Sequence, residues 1–223
     1  IKDEPQHKKQ GQITEKLLKI LDIKYKILDK STNLEHTVKE LANYALKKNK
    51  PVGLLVRKNT IKNNLKKKIN SNYFTREDAL KAVIKNISKE VIKISTTGML
   101  SRELNELNLI NKSTKNTFMC VGGMGHAISI ASGVALSKPS KKIFCLDGDG
   151  SFLMHLGASA TSAKLKNVIH IVFNNRSHDS VGGQDTSAPN LNLTNVAKTL
   201  GYKNTKKLNS EKDIRNFFKS KKK

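Results

Sequence analysis

Asp149 stands between Gly148 and Gly150, directly after the apolar run Ile143-Phe144-Cys145-Leu146 and a first acid, Asp147. A carboxylate set among glycines at the carboxyl end of a buried strand suits a hard cation better than it suits a plain turn. Such a cation takes carboxylate and carbonyl oxygens from the protein and fills its remaining positions with phosphate oxygens. Asn174-Asn175 close the next strand-like run, VIHIVFNN, with 23 residues between Gly150 and Asn174. Their amide carbonyls are further hard donors. A strand–helix–strand pattern fills the interval, and neighbouring parallel strands would bring these groups close to Asp149. The glycines add a second chemistry. Gly98, Gly122, Gly123, Gly125, Gly148 and Gly150 let backbone amides approach a ligand closely, and a helix beginning near Ser151 offers free N–H groups to an anion. A cation and an anion at one site imply a phosphate-bearing ligand bridged to the protein by a metal.

Positioning those loops requires alternating strands and helices, and the sequence supplies them. Residues 13–21 (Ile13, Leu17, Leu18, Leu21) and 34–45 (Leu34, Val38, Leu41, Ala42, Ala45) carry apolar side chains at helical spacing, interleaved with strand-like KYKIL and PVGLLVRK. This α-β-α-β unit is too small for a complete domain. Residues 59–73, lysine-rich and without periodicity, read as a linker. A second unit opens at Thr75, whose Asp78 three residues on makes a capping-box variant. The predicted order is then helix 76–88, strand 91–96, helix RELNELNL, strand TFMCV, helix AISIASGVALS, strand KIFCL, helix 151–164, strand VIHIVFNN, helix LNLTNVAKTLG and a charged tail, EKDIRNFF. Strands alternating with helices predict an α/β fold with a doubly wound parallel sheet, its ligand loops at the strand carboxyl ends. Those loops are the glycine-bearing ones: TTG, GGMG, DGDG and NNRSHDSVGGQ.

Composition excludes some functions. The net charge of +24 invites a nucleic-acid reading, but only five of the 42 basic residues are arginine, and aromatics make up 5% of the chain. Arginine is the usual donor to base edges, and aromatics are the usual stacking platform. The lysines are spread along the chain among many Asn and Ile, so they read as solvated faces, and no nucleic acid is expected as a partner. No apolar run approaches the roughly 20 residues of a membrane span. Cys120 and Cys145 lie in apolar runs without metal-ligand spacing, as buried reduced thiols would. With no secretory segment in IKDEPQHKKQ, a cytoplasmic protein is the expectation.

The pair GDG…NN, with VGGMGHAISIASGVAL ahead of it, resembles the cofactor motif of thiamine diphosphate enzymes. STTGMLSREL, NNRSHDSVGGQDT and DEPQH look most like the phosphonopyruvate-decarboxylating branch of the 2-oxoacid decarboxylases, with sulfopyruvate decarboxylases close by. The resemblance implies the thiamine diphosphate-binding fold. Residues 1–58 would be the end of a pyrimidine-binding domain and 74–223 most of a diphosphate-binding domain, short of a last strand. It also implies thiamine diphosphate and Mg²⁺ as cofactors. By motif, Asp149, Asn175 and the Ser177 carbonyl would hold the metal. Thr96, Thr97, Gly98, Gly148, Gly150 and Ser151 would line the diphosphate, the Gly122 carbonyl would accept from the aminopyrimidine, Gly123 would belong to the cofactor site, and Met124 would wedge between the rings. His126 and His178 are candidates for proton transfer, and Arg102 and Asp179 for contact with the substrate.

The implied reaction releases CO₂ from 3-phosphonopyruvate to leave phosphonoacetaldehyde, as a step in phosphonate biosynthesis. The glutamate that activates the cofactor in this family has no counterpart here, and Glu4 lies in a segment that matches elsewhere. The sequence is therefore expected to be a fragment, inactive alone, of a homodimer or higher oligomer with its site between subunits. A sulfopyruvate decarboxylase chain, an acetolactate-type carboligase and a basic nucleic-acid-binding module are the alternatives. The carboligase calls for a domain between the two units, for which the short linker leaves no room.

Overall fold

The computed structural model describes residues 5–61 and 73–220, and the chain divides into two compact units, Ile1–Asn70 and Ser71–Lys223. Most of the segment read as a linker therefore lies outside the described residues. In the first unit, α1 (Pro5–Ile20), β1 (Lys24–Leu28), α2 (Leu34–Lys48) and β2 (Val52–Val56) follow the predicted order, and the two strands pair in parallel from Lys24↔Val52 to Leu28↔Val56. Asn33 caps α2 by accepting from the His36 N–H, and Asn49 ends it in the left-handed conformation at φ 50°.

The second unit contains α3 (Arg76–Asn86), β3 (Ile92–Ser95), α4 (Met99–Ile110), β4 (Thr117–Met119), α5 (Ala127–Ser137), β5 (Ile143–Gly148), α6 (Asp149–Met154), α7 (Leu156–Ser162), β6 (Val168–Phe173), α8 (Leu193–Thr199) and α9 (Glu211–Ser220). The sheet is parallel throughout, in the order β4-β3-β5-β6. The chain therefore runs outward from β3 to β4, crosses back, and continues from β5 to β6. This is the doubly wound α/β arrangement that was expected, and its switch point lies between β3 and β5.

Both faces of β5 are covered, which explains its unbroken apolar run. Phe144 and Leu146 join Leu80, Leu100, Leu104, Phe173, Ile214 and Phe218 on one face. Ile143 and Cys145 join Ile94, Ala127, Ile128 and Ala131 on the other. Three local readings change. The helix expected over 151–164 is two helices, because backbone at His155 leaves the helical region (φ −133°). β5 runs on through Asp147 and Gly148, so Asp147 belongs to the strand and not to the loop. EKDIRNFF is not a tail but part of α9: Ser210 accepts from the Asp213 N–H at its start, and Ile214 and Phe218 lie one turn apart in the core. Among the described residues no helix is long and apolar enough to cross a membrane.

Candidate active site

At the switch point the carboxyl ends of β3, β5 and β6 open on a cleft. Its wall includes Thr96 and Thr97 after β3, Gly148 at the end of β5 with Asp149–Ser151 after it, and Asn175 and Ser177–Ser180 after β6. The loops are laced together by one hydroxyl. Ser151 Oγ accepts from the Gly125 N–H at 2.9 Å and shares a hydrogen bond of 2.7 Å with Thr96 Oγ1. The Gly122 N–H adds a bond to Thr97 Oγ1 at 3.1 Å. With its side chain bound internally, Ser151 has its main-chain N–H to offer a ligand.

Two helices begin at this wall without a side-chain cap. Gly98, at φ 89°, precedes α4, whose Met99 and Leu100 line the cleft, and Gly148 precedes α6. Their first N–H groups have no partner within the helix and carry the positive end of its dipole. A Cβ on Gly148 would meet nothing within 4 Å, so the backbone there is open to a ligand. At the first position of α6 sits the Asp149 carboxylate, 1% exposed, with Thr186 Oγ1 donating to its Oδ2 at 2.5 Å. Among the described residues no lysine, arginine or histidine pairs with it. A buried carboxylate without a counter-charge costs several kcal/mol unless a cation joins it. The donor set is hard oxygen throughout, so this wall fits a divalent cation bridged to a diphosphate.

The other carboxylate of the motif does different work. Asp147, fully buried in β5, accepts the Gly148 N–H on Oδ1 and hydrogen-bonds His170 Nε2 through Oδ2 at 3.2 Å. His170 Nδ1 in turn meets the Tyr202 hydroxyl at 2.9 Å, and Phe152 lies edge-on to the ring. Burial pushes the Tyr202 phenol up to about 12. The chain is a structural brace behind β5. Cys145 lies beside Asp147 and His170, and burial holds its thiol well above its ordinary range.

The loop after β6 folds back over the strand ends. Arg176 adopts φ 60°, Ser177 bridges to Asp185, and the Thr186 N–H returns to the Arg176 carbonyl. Asn175 Nδ2 donates to Asp179 Oδ2 at 2.7 Å, and Arg76 Nη1 donates to the same oxygen at 2.6 Å. Arg76 also grips Glu103 with Nε and Nη2, at 3.0 and 2.7 Å. The Glu103 bond, with the charges of both carboxylates, raises Arg76 further above its ordinary range. Burial alone would lift the Asp179 carboxyl, but Arg76 holds it below its usual value.

Of the residues singled out from sequence, Thr96, Thr97, Met124, Gly148, Asp149, Gly150, Ser151, Asn175, Ser177, His178 and Asp179 line the cleft together. The His178 ring lies over Gly150, where an added Cβ would sit 2.5 Å from Cε1, and the Met124 methyl is close to the same point. Gly98 lies against Ser180 and Gly122 against Thr97, both on this wall, while Gly123 faces Cys120 and His126. His126 is exposed and packs on His155 with ring centroids 4.5 Å apart, while Arg102 is exposed on α4. Arg76 and Thr186 were missed. Thr186 closes the stretch NNRSHDSVGGQDT but was given no role of its own. Arg76 read only as the start of a helix.

Residues 96–221 match the family described as thiamine pyrophosphate enzyme, C-terminal TPP binding domain. Phosphonopyruvate decarboxylase of Streptomyces viridochromogenes is 32% identical over 91% of this chain and 55% of its own length. Sulfopyruvate decarboxylase subunit beta of Methanocaldococcus jannaschii is 36% identical over 58% of this chain and 68% of its own. In fold, benzoylformate decarboxylase from Polynucleobacter necessarius superposes with a TM-score of 0.54 at 18% identity, over 74% of this chain and 33% of that one. The chain spans about half the length of the phosphonopyruvate decarboxylases it matches. It belongs to the thiamine pyrophosphate enzyme family.

Proposed function

We propose that this member of the thiamine pyrophosphate enzymes carries the diphosphate- and cation-binding part of a Mg²⁺-dependent enzyme that decarboxylates 3-phosphonopyruvate to phosphonoacetaldehyde and CO₂. The observation that carries the reading is the Asp149 carboxylate, buried at the start of α6 without a cationic partner among the described residues, on a cleft where two uncapped helices begin. Bound thiamine diphosphate supplies the electron sink that lets a 2-oxoacid lose CO₂. Asp149, the Asn175 side chain and the Ser177 carbonyl would hold the Mg²⁺. The Thr96–Gly98 loop, Gly148, Gly150 and the N–H groups opening α4 and α6 would receive the diphosphate. Gly122 and Gly123 would take the aminopyrimidine, and Met124 would support the bend between the rings. His178, which lines the cleft, would hold or release a proton at an imidazole nitrogen. His126 is the second candidate, and Arg102 the partner for an anionic headgroup. The substrate is a small 2-oxoacid, and the working form is a homodimer or higher oligomer.

Sulfopyruvate is the second reading, favoured by the similarity to the sulfopyruvate decarboxylase subunits. Both headgroups are tetrahedral anions, so the cleft chemistry is the same for either. The test is CO₂ release by the full-length protein with Mg²⁺ and thiamine diphosphate, wild type beside Asp149→Ala. Turnover of phosphonopyruvate that the substitution abolishes is the expected result. Turnover of sulfopyruvate or pyruvate alone overturns the substrate, and no turnover of any 2-oxoacid overturns the function.

A further inference from the structure

Arg76 occupies a place that helix physics does not favour. It is the first residue of α3, where a positive charge opposes the helix dipole. The helix start does not need it, because Thr75 and Asp78 already form a complete capping box. Yet its side chain is only 15% exposed, and all three guanidinium nitrogens are engaged by two acids from other parts of the chain. Glu103 on α4 takes the forked pair, which leaves Nη1 aimed at Asp179 in the loop after β6. A planar fork holding one carboxylate fixes the direction in which it offers its remaining donor.

What Asp179 does next gives that arrangement a purpose. Its Oδ2 accepts from Arg76 and from Asn175 Nδ2. An ionised carboxylate only accepts, so the Asn175 amide must turn its NH₂ toward Asp179 and its Oδ1 the other way. The remaining contact of Oδ1 is a long one, with the Ser177 N–H at 3.4 Å. That oxygen is thus free to serve as a cation ligand. Without Arg76 the carboxylate would lose the contact that holds it in place, and the amide would be free to flip.

We infer that Arg76 is a positioning residue for the cation site, selecting through Asp179 which end of the Asn175 amide faces the cleft. Glu103 serves the same end by orienting Arg76. This rests on the reading of Asn175 as a cation ligand.

The test uses Mn²⁺ as a spin probe, with its affinity for the full-length protein read by electron paramagnetic resonance at saturating thiamine diphosphate. Outer contacts of this kind change metal affinity by roughly 10- to 100-fold, so Arg76→Gln should weaken Mn²⁺ about 10-fold. Because Arg76 acts through Asp179, the double variant Arg76→Gln/Asp179→Ala should bind no more weakly than Asp179→Ala alone. A role confined to anchoring α3 would leave Mn²⁺ affinity alone or make the two losses multiply, and either result overturns the inference. Should Arg76→Gln not fold, Arg76→Lys decides. It keeps the charge but cannot hold both acids, so affinity equal to wild type refutes the proposal and a loss of about fivefold supports it. Asp149→Ala separates the two levels. If it abolishes Mn²⁺ binding while Arg76→Gln leaves it within twofold of wild type, only the role of Arg76 falls. If Asp149→Ala leaves binding intact, the cation site itself is wrong and the inference falls with it.

Discussion

Gly150→Ala separates the demands of the ligand from those of the fold. The backbone at Gly150 is helical and within α6, so alanine is the better residue on intrinsic grounds by about 1 kcal/mol. Against that, the new Cβ would lie 2.5 Å from His178 Cε1, 3.0 Å from its Nδ1 and 3.2 Å from the Met124 methyl. Ordinary carbon contacts begin near ~3.5 Å, so the imidazole must retreat by about 1 Å. Overpacking costs ~1–3 kcal/mol, and the low end applies here because the ring borders open space in the cleft. The two effects nearly cancel, and the protein without cofactor should melt within about 4 °C of wild type. Cofactor binding has no such compensation. The methyl crowds the backbone proposed to receive the diphosphate and moves the His178 ring, so thiamine diphosphate should bind at least about 10-fold more weakly, roughly 1.4 kcal/mol. Thermal melts of the full-length protein across a thiamine diphosphate titration with Mg²⁺ read both quantities from one data set. Affinity within twofold of wild type would refute the assignment of Gly150 to the diphosphate. Adding His178→Ala tells ring displacement from direct crowding: recovered binding assigns the loss to the ring.

Thr186→Val removes the hydroxyl that donates to buried Asp149 and should destabilise the cofactor-free protein by about 1–3 kcal/mol. Saturating Mg²⁺ and thiamine diphosphate should recover part of that, and an unchanged urea midpoint without cofactor would contradict the burial argument. Gly98→Ala meets a φ of 89° as well as a Cβ 2.5 Å from Ser180 Oγ, and should cost about 2 kcal/mol or more. Pairing it with Ser180→Gly should restore only the contact part, and full recovery would show that the backbone is not strained. Tyr202 sets an alkaline limit. Its folded pKa is pushed up to about 12 by burial, above an ordinary value near 10. Its contribution is therefore present below about pH 10 and lost as pH rises toward 12. Urea midpoints from pH 9 to 11.5 should fall more steeply for wild type than for Tyr202→Phe, and parallel curves would show that the phenol is not held neutral by the fold.

The parts of the site that were legible in the sequence are those whose meaning is local. A glycine at a strand end, an acid between two glycines or a threonine before a helix start constrains the backbone and its donors wherever the strand lies in the sheet. Thr96, Met124, Asp149, Ser151 and Asn175 could therefore be picked out and do share one cleft wall. The α9 helix was misread because its charges outnumber its apolar residues, although Ile214 and Phe218 four apart, with Ser210 and Asp213 at the start, carried the signal.

Asp147 and Arg76 show what local reading cannot supply. Asp147 and Asp149 have nearly the same neighbours in the sequence, yet one faces the core and the other the cleft. The difference is set by β5 extending through Gly148 and by its register with β6, where Cys145 lies opposite His170 and puts that ring within reach of Asp147. Nothing in DGDG encodes that register. The partners of Arg76 lie 27 and 103 residues away, on a second helix and in a loop that reach it only once the sheet has formed. Its one sequence-level oddity is a cation at the first position of a helix that already has a capping box. A charge placed against a dipole indicates that something outside the helix must compensate for it, and here Glu103 and Asp179 do so. If the Mn²⁺ experiment bears out Arg76, which itself lines the cleft, unfavourable charges at well-capped helix starts become a useful place to look for residues that act on a site through their neighbours.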